Sequence, residues 1–273
     1  MGFRLTTLNL NGIRSAADKG FVPWAESLGV DCMGVQEVKA QTEHIAGRFD
    51  TLDGMAGHFH LAEKKGYSGV GAWTRHAPTE VITGFGNAEF DAEGRYVELR
   101  FDAPATASGR PFKKFSVISS YFPSGSSGED RQAAKFRFLD AMWTHLQALK
   151  AEREFILVGD INIAHQNADL KNWKSNQKNS GFTPEERAWL TKLFDPAQGG
   201  LVDVYRRLHP DTTDECYTWW SNRGAAYAKN VGWRLDYHFA TPAVAALARS
   251  AAVYKDLKFS DHAPLTIEYD FTV

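Results

Sequence analysis

A chain of 273 residues with 43% hydrophobic and 23% charged side chains is long enough for one large α/β domain or two small ones, and it lies outside the compositions of disordered and membrane proteins. Its net charge of −2, from 31 basic and 33 acidic residues, gives no global sign of a polyanionic partner, although residues 110–150 carry seven basic side chains against three acidic ones. No apolar run reaches the ~18 residues of a membrane span, the opening "MGFRLTTLNLNG" has no secretory pattern, and two cysteines (Cys32, Cys216) suit a reducing compartment, so a cytoplasmic location off the membrane is expected.

Strand-like runs rich in Val, Ile, Phe, Tyr and Thr, bounded by Gly, Pro or Asp, fall at 3–9, 30–36, 69–74, 95–101, 114–121, 155–160, 233–240 and 263–271. Between 114–121 and 155–160, "EDRQAAKFRFLDAMWTHLQALK" predicts a helix, with Phe138, Ala141, Met142, His145 and Leu149 at three- and four-residue spacing and an acidic start. "TPEERAWLTKLF" predicts another, with Thr183 as N-cap, Pro184 in the first turn and Glu186 closing a capping box. No linker, repeat or low-complexity run divides the chain, so one domain over 1–273 is expected. Many strands with few intervening helices point to two sheets packed together with helices outside.

Polar residues fall at the strand ends. "ILVGDINIAH" ends a buried run with Asp160, Asn162 and His165, and in an extended chain Asp160 and Asn162 share a face. Gly-Asp is also a common turn opener, so this stretch alone decides nothing. Asn9 closes the first run and Glu37 the second, whereas Asp261 and His262 precede the last. If the last strand is antiparallel to its neighbours, Asn9, Glu37, Asp160, Asn162, Asp261 and His262 gather on one rim.

"LNLNGIR", "VQEVK", "GYSGVG", "YFPSG", "GDINIAH", "NVGWRLDY" and "SDHAP", in that order from Phe3 to Tyr269, resemble the motifs of the exonuclease III-type abasic-site DNA endonucleases. The resemblance implies a four-layer α/β sandwich, two mixed sheets flanked by helices. It implies a monomeric, divalent-metal phosphodiesterase that incises duplex DNA 5′ to abasic sites and trims blocked 3′ ends. Carried over, Glu37 is the principal magnesium ligand (manganese being an alternative ion), with Asn9 and Asp261 close by and Asp160, Asn162 and His262 around the same ion. Asp160 aligns or deprotonates the attacking water, Asn162 donates to the phosphate, His262 held by Asp236 stabilises charge, and Tyr121 contacts the scissile phosphate. Phosphodiester hydrolysis needs such types in any case: a cation and donors aimed at developing negative charge, and a base for water.

On the substrate side, Trp219, Trp233 and Leu235 resemble the apolar pocket for a flipped, base-less sugar, while Trp220, offset by one, reads as core. "KNWKSNQKNSGF" resembles a loop across the phosphates, with Asn176 and Asn179 as donors; Arg14, Lys39, Arg95 and Arg223 are further backbone contacts. Two residues depart from the pattern. Ser124 stands where relatives carry an amide, and Ser175 where abasic-site endonucleases usually have glycine close to the DNA, which bears on the balance between internal incision and 3′-end trimming. A same-superfold phosphatase acting on a lipid or small phosphoester would keep the metal-site residues but lack the tryptophan pocket and the asparagine loop. A DNA-binding module without catalysis has no use for Glu37, Asp160 and His262 together.

Overall fold

The computed structural model describes residues 2–103 and 109–273. Its strands in chain order are β1 (Phe3–Asn9), β2 (Cys32–Gln36), β3 (Thr51–Leu52), β4 (Met55–His60), β5 (Val70–Thr74), β6 (Glu80–Thr83), β7 (Tyr96–Arg100), β8 (Phe115–Tyr121), β9 (Glu154–Asp160), β10 (Val202–Asp203), β11 (Trp219–Trp220), β12 (Gly232–Trp233), β13 (Asp236–Ala240), β14 (Ala248–Val253) and β15 (Leu265–Tyr269). The helices are α1 (Ile13–Asp18), α2 (Phe21–Ser27), α3 (Thr42–Ile45), α4 (Ala88–Asp91), α5 (Glu129–Glu152), α6 (Trp173–Asn176), α7 (Pro184–Phe194), α8 (Val204–Leu208) and α9 (Pro242–Ala246).

Seven strands form one sheet in the order β14-β15-β1-β2-β5-β4-β3, and six form a second in the order β10-β13-β9-β8-β7-β6. Both are mixed: β1 and β2 are parallel, as are β8 and β9, while their other neighbours run antiparallel. The sheets pack face to face through β1, β2 and β5 against β8, β9 and β13, around Leu5, Val70, Val117, Ile156 and Val158. These central strands are buried on both faces, which is why their sequences show no strict alternation and their few polar side chains, such as Gln36 and Ser119, bond to each other inside (2.9 Å). Gly34 permits the close approach, since a Cβ there would lie 2.7 Å from Val158 Cγ2.

Helices cover the outer faces and complete four layers. Ile13, Phe21 and Trp24 of α1 and α2 pack on Met33, Val35 and Trp73. Phe138, Met142 and Leu146 of α5, with Leu190 and Leu193 of α7, pack on Ile118, Leu157 and Phe239. The buried stripe of α5 runs through Leu139 and Leu146, whereas Ala141 and His145 sit at its margin, and His145 Nε2 reaches the Tyr96 hydroxyl at 2.9 Å. The capping box of α7 forms as expected, with Thr183 accepting from Glu186 N and Glu186 from Thr183 N.

The run expected over 233–240 is not one strand. Gly232 and Trp233 pair with β11 in a separate ribbon, and β13 begins only at Asp236. The break arises because Thr218 Oγ1 accepts from both Leu235 N (3.0 Å) and Asp236 N (3.1 Å) in place of a sheet partner. Among the described residues no helix is long and apolar enough to cross a membrane.

Candidate active site

The topology opens one edge of both sheets to a common cleft of about 1160 Å³. The C-terminal ends of the parallel pairs β1/β2 and β8/β9 lie there, with Asn9 opposite Gln36 and Tyr121 opposite Asp160 in register. The antiparallel strands supply the same edge from their starts: Asp236 pairs with Asp160, and β15 begins opposite Thr7, three residues after His262. Just past the strand ends Glu37 (φ 47°), Lys39 (φ 49°), Asn11 (φ 45°) and Asn162 (φ 55°) all adopt the left-handed conformation, which costs a side chain of order 1–2 kcal/mol. Gly159 is demanded by packing, since a Cβ there would lie 1.9 Å from the Ser120 carbonyl oxygen. The Gly-Asp pair is therefore a close approach between strands and not a turn opener.

The six rim residues come together. Asn9 Nδ2 donates to Glu37 Oε1 (2.9 Å) and Asp160 Oδ2 (2.8 Å); Asp160 Oδ1 accepts from Asn162 N (2.9 Å); and His262 Nε2 lies 3.7 Å from Asp160 Oδ2. Asn162 Nδ2 donates to Phe122 O (2.9 Å) and to Asp160 Oδ2 (3.2 Å). Asp261 is tied in through Asn11, whose Nδ2 donates to its Oδ1 (2.9 Å), and through Trp219, whose indole N–H reaches its Oδ2 (3.2 Å). Lys39 Nζ bridges Glu37 Oε2 (2.6 Å) and Asn11 Oδ1 (2.6 Å). Burial and the neighbouring Glu37 and Asp160 carboxylates push the Tyr121 phenol well above its ordinary value.

Charge within this cluster is unevenly held. Burial and the neighbouring Asp236 and Glu37 carboxylates, opposed by His262, push the Asp160 carboxyl up to about 7. Burial works against a charged His262, but Asp236 at 2.8 Å from Nδ1, with Asp160 and Asp261, outweighs it and pushes the imidazolium up to about 10. Glu37 goes the other way: burial would raise it, yet Lys39 and Asn9 hold it below the usual carboxylate range. Glu37, Asp160 and His262 offer ligand atoms within 4.8 Å of one another. With two carboxylates and no thiolate among them, this is a donor set that a hard divalent cation can use, whereas Asn9, expected as a ligand, turns its Nδ2 to the carboxylates and its Oδ1 to Asn11 N (2.9 Å) and so braces them.

Beside the rim stands an apolar wall. Trp219 and Trp233 pair across the β11–β12 ribbon with rings 6.2 Å apart and edge-on, over Leu170, Phe182 and Leu235. Trp220 is buried in the core behind them. Arg234, between the two wall residues Trp233 and Leu235, turns inward to Asp169 Oδ1 (2.8 Å) and Asp203 Oδ2 (2.7 Å), so Asp236 is left free for His262. Arg206 also donates to Asp169 (2.6 Å). Burial would raise the Asp169 carboxyl, but Arg234 and Arg206 overcome it and hold it well below the usual range. A depressed carboxyl contributes stability above its unfolded value, near 4, and that stability is lost as pH falls below it. Urea unfolding should therefore show wild type weakening below about pH 4 with a slope that Asp169→Asn lacks. Asp169→Ala, leaving buried Arg234 short of a partner, should cost about 3–5 kcal/mol at neutral pH; an unchanged midpoint would refute this account of the network.

The DNA-contact candidates separate into groups. Asn176, Asn179 and Arg223 line the cleft, and Arg14 is exposed at α1. Ser175 is exposed with its hydroxyl turned back to Asn172 O (3.1 Å), and Ser124 pairs with Ser126 (2.9 Å). Arg95 does not stand free for a phosphate contact: its side chain is 2% exposed, donates to Tyr121 O (3.0 Å) and Tyr67 Oη (2.9 Å), and lies 4.8 Å from the Tyr121 ring centroid. It is a post beneath Tyr121. His165 likewise leaves the cluster for Thr191 of α7 (2.9 Å). Asn11 was missed by sequence reading, though its place two residues after Asn9 was a usable signal; Thr218 and Ser260, which brace Asp236 and the His262 amide, carried none.

Comparison with known proteins gives the family. The profile of the Endonuclease/Exonuclease/phosphatase family matches residues 6–262. The chain is 32% identical over 266 residues to an exodeoxyribonuclease of Bacillus subtilis, covering 97% of this chain and 98% of that one. It is 32% identical over 269 residues to the DNA repair nuclease APEX1 of Danio rerio, covering 97% and 81%. Among solved structures, a 3′-5′ exonuclease (NExo) from Neisseria meningitidis superposes with a TM-score of 0.83 at 26% identity, over 98% of this chain and all of that one. The chain belongs to the endonuclease/exonuclease/phosphatase family, in its exodeoxyribonuclease III-type branch of nucleases.

Proposed function

We propose that this protein is a magnesium-dependent DNA repair phosphodiesterase, working as a cytoplasmic monomer, that incises duplex DNA 5′ to abasic sites and removes blocking groups or nucleotides from 3′ ends. One observation carries the reading: Asp160, held by Asn9 and Asn162 between anionic Glu37 and cationic His262, opens onto a cleft walled by Trp219, Trp233 and Leu235. The named activities of the exodeoxyribonuclease and DNA repair nuclease relatives support it. Free, buried Cys32 and Cys216 support the reducing compartment.

A hard divalent cation, magnesium or manganese, would be held by Glu37 with Asp160 and Asp261, Asn9 bracing Glu37 and Asp160 through Nδ2, and would supply Lewis acidity toward phosphoryl oxygens. His262 is better placed as a donor than as a ligand, because its imidazolium has no lone pair at Nε2. With Asn162 and Tyr121 it neutralises the charge that builds on the phosphate oxygens. Asp160, near 7, accepts the proton of the attacking water. The aromatic wall takes a sugar that carries no base, whose extrusion costs little unstacking. Asn176, Asn179, Arg14, Lys39 and Arg223 hold the phosphate backbone and are indifferent to sequence.

The test is a duplex carrying one abasic analogue and, separately, a nick ending in a 3′-phosphate. Magnesium should permit incision of the first and phosphate release from the second, and a chelator should stop both. Cleavage of neither, or cleavage indifferent to chelator, would overturn the reading. The likeness to a 3′-5′ exonuclease, together with Ser175 in the loop beside the cleft, favours a second reading in which 3′-end processing predominates and internal incision is weak. The ratio of the two rates decides between them.

A further inference from the structure

We propose that Lys135 is a positioning residue for Asn162, and that Glu186 couples it to the loop carrying Asn176 and Asn179. The inference rests on the nuclease reading above. Lys135 lies in α5 with its side chain wholly buried; its Nζ donates to the Asn162 carbonyl at 2.7 Å and pairs with Glu186 Oε1 at 2.6 Å. Glu186 is wholly buried too, and accepts in addition from Gln132 Nε2 (3.0 Å), Gly181 N (2.7 Å) and Thr183 N (3.0 Å).

Lysine is seldom buried outright, and a buried ion pair is weak support for stability, since apolar side chains of similar volume often serve as well. What this pair does locally is hold two backbones. Asn162 has φ 55°, so its carbonyl leaves the line of β9 and points toward α5, where the Lys135 ammonium receives it. The 161–162 peptide is held on the other side of this Cα by Asn162 N on Asp160 Oδ1, so the carbonyl bond to Lys135 completes a two-sided clamp on the Asn162 Cα that aims its side-chain Nδ2 at Asp160 Oδ2 and Phe122 O. On the other side, Glu186 grips the amides of Gly181 and Thr183, where the chain leaves the asparagine loop, and Gly181 O accepts from Ala164 N (2.8 Å) just beyond Asn162. One carboxylate thus anchors both the turn that carries the chemistry and the loop that would lie on the DNA.

A misplacement of about 1 Å at a reacting group can cost ~100-fold, so Lys135→Met should lower kcat on an abasic duplex by roughly 10- to 100-fold while KM changes little. The decisive measurement is a double-mutant cycle with Asn162→Ala. If Lys135 acts through Asn162, the double variant is no slower than Asn162→Ala alone; a merely structural role gives losses that multiply. Should Lys135→Met fail to fold with Glu186 unpaired, Lys135→Met/Glu186→Gln removes both charges and enters the same cycle. Multiplying losses, or a lowered melting temperature with kcat intact, would overturn the inference alone. A wild type inert on the abasic duplex would overturn the nuclease reading and this inference with it.

Discussion

Asp160→Asn is expected to lower kcat on an abasic duplex by about 100- to 10,000-fold, the span of general acid–base contributions, while DNA affinity is kept or improved. Asparagine fills the same space but has one acceptor oxygen, so it keeps Asn162 N and turns its own NH2 toward Asn9 Nδ2, losing that one contact of the rim. It cannot take a proton, and it removes one anion from beside the incoming phosphate. Affinity measured by fluorescence anisotropy in chelator, alongside single-turnover rates in magnesium, separates the two effects. Loss of binding together with rate would make Asp160 structural. In the wild type the base must be deprotonated, so the rate should rise with pH to a plateau. The inflection should lie at or below about 7, because a cation beside Glu37 stabilises the Asp160 carboxylate.

Glu37→Ala should be comparably severe for a different reason. Glu37 is kept anionic against its burial by Lys39 and Asn9, and its charge lies beside the buried Tyr121 phenol. Removing it takes away the charge that would retain the cation. Several kcal/mol of transition-state stabilisation corresponds to roughly 1,000-fold or more in kcat/KM. The fold should be spared, since the Lys39 side chain is 32% exposed and can rehydrate when its partner goes. Manganese titration of the DNA-free protein should show binding weakened at least ~10-fold, by the tenfold per 1.4 kcal/mol rule. Full activity of the variant at saturating magnesium would refute the ligand assignment.

The central strands could be read from the sequence because runs dominated by β-formers and free of helix period, such as FSVISSY and EFILVGD, have few other interpretations when turn residues bound them. Strands β3, β4, β6 and β14 were not legible. They lie toward the sheet edges, are short or carry Gly, His and Ser, and owe their conformation to a neighbour's hydrogen bonds and not to their own pattern. The helices α1 and α2, six and seven residues long, are too short to show a period.

The rim residues were legible as chemical types at strand ends, and their convergence followed from one assumption, that β15 runs antiparallel to β1, which it does. What no periodicity could reveal is direction beyond the strand. Arg95 and Arg223 look alike in sequence, yet one is a buried post under Tyr121 and the other lines the cleft. Arg234 could have been assigned to Asp236, two residues on; the fold gives it instead to Asp169 and Asp203, 65 and 31 residues away in sequence. Lys135 read as one more basic residue on a helix until packing enclosed it with Glu186 and the Asn162 carbonyl. Composition and spacing therefore determined the layers and the kinds of groups at the site. Which charges face solvent and which are locked together beneath it was decided by tertiary packing, because a buried charge finds its partner across distances in sequence that local pattern does not encode.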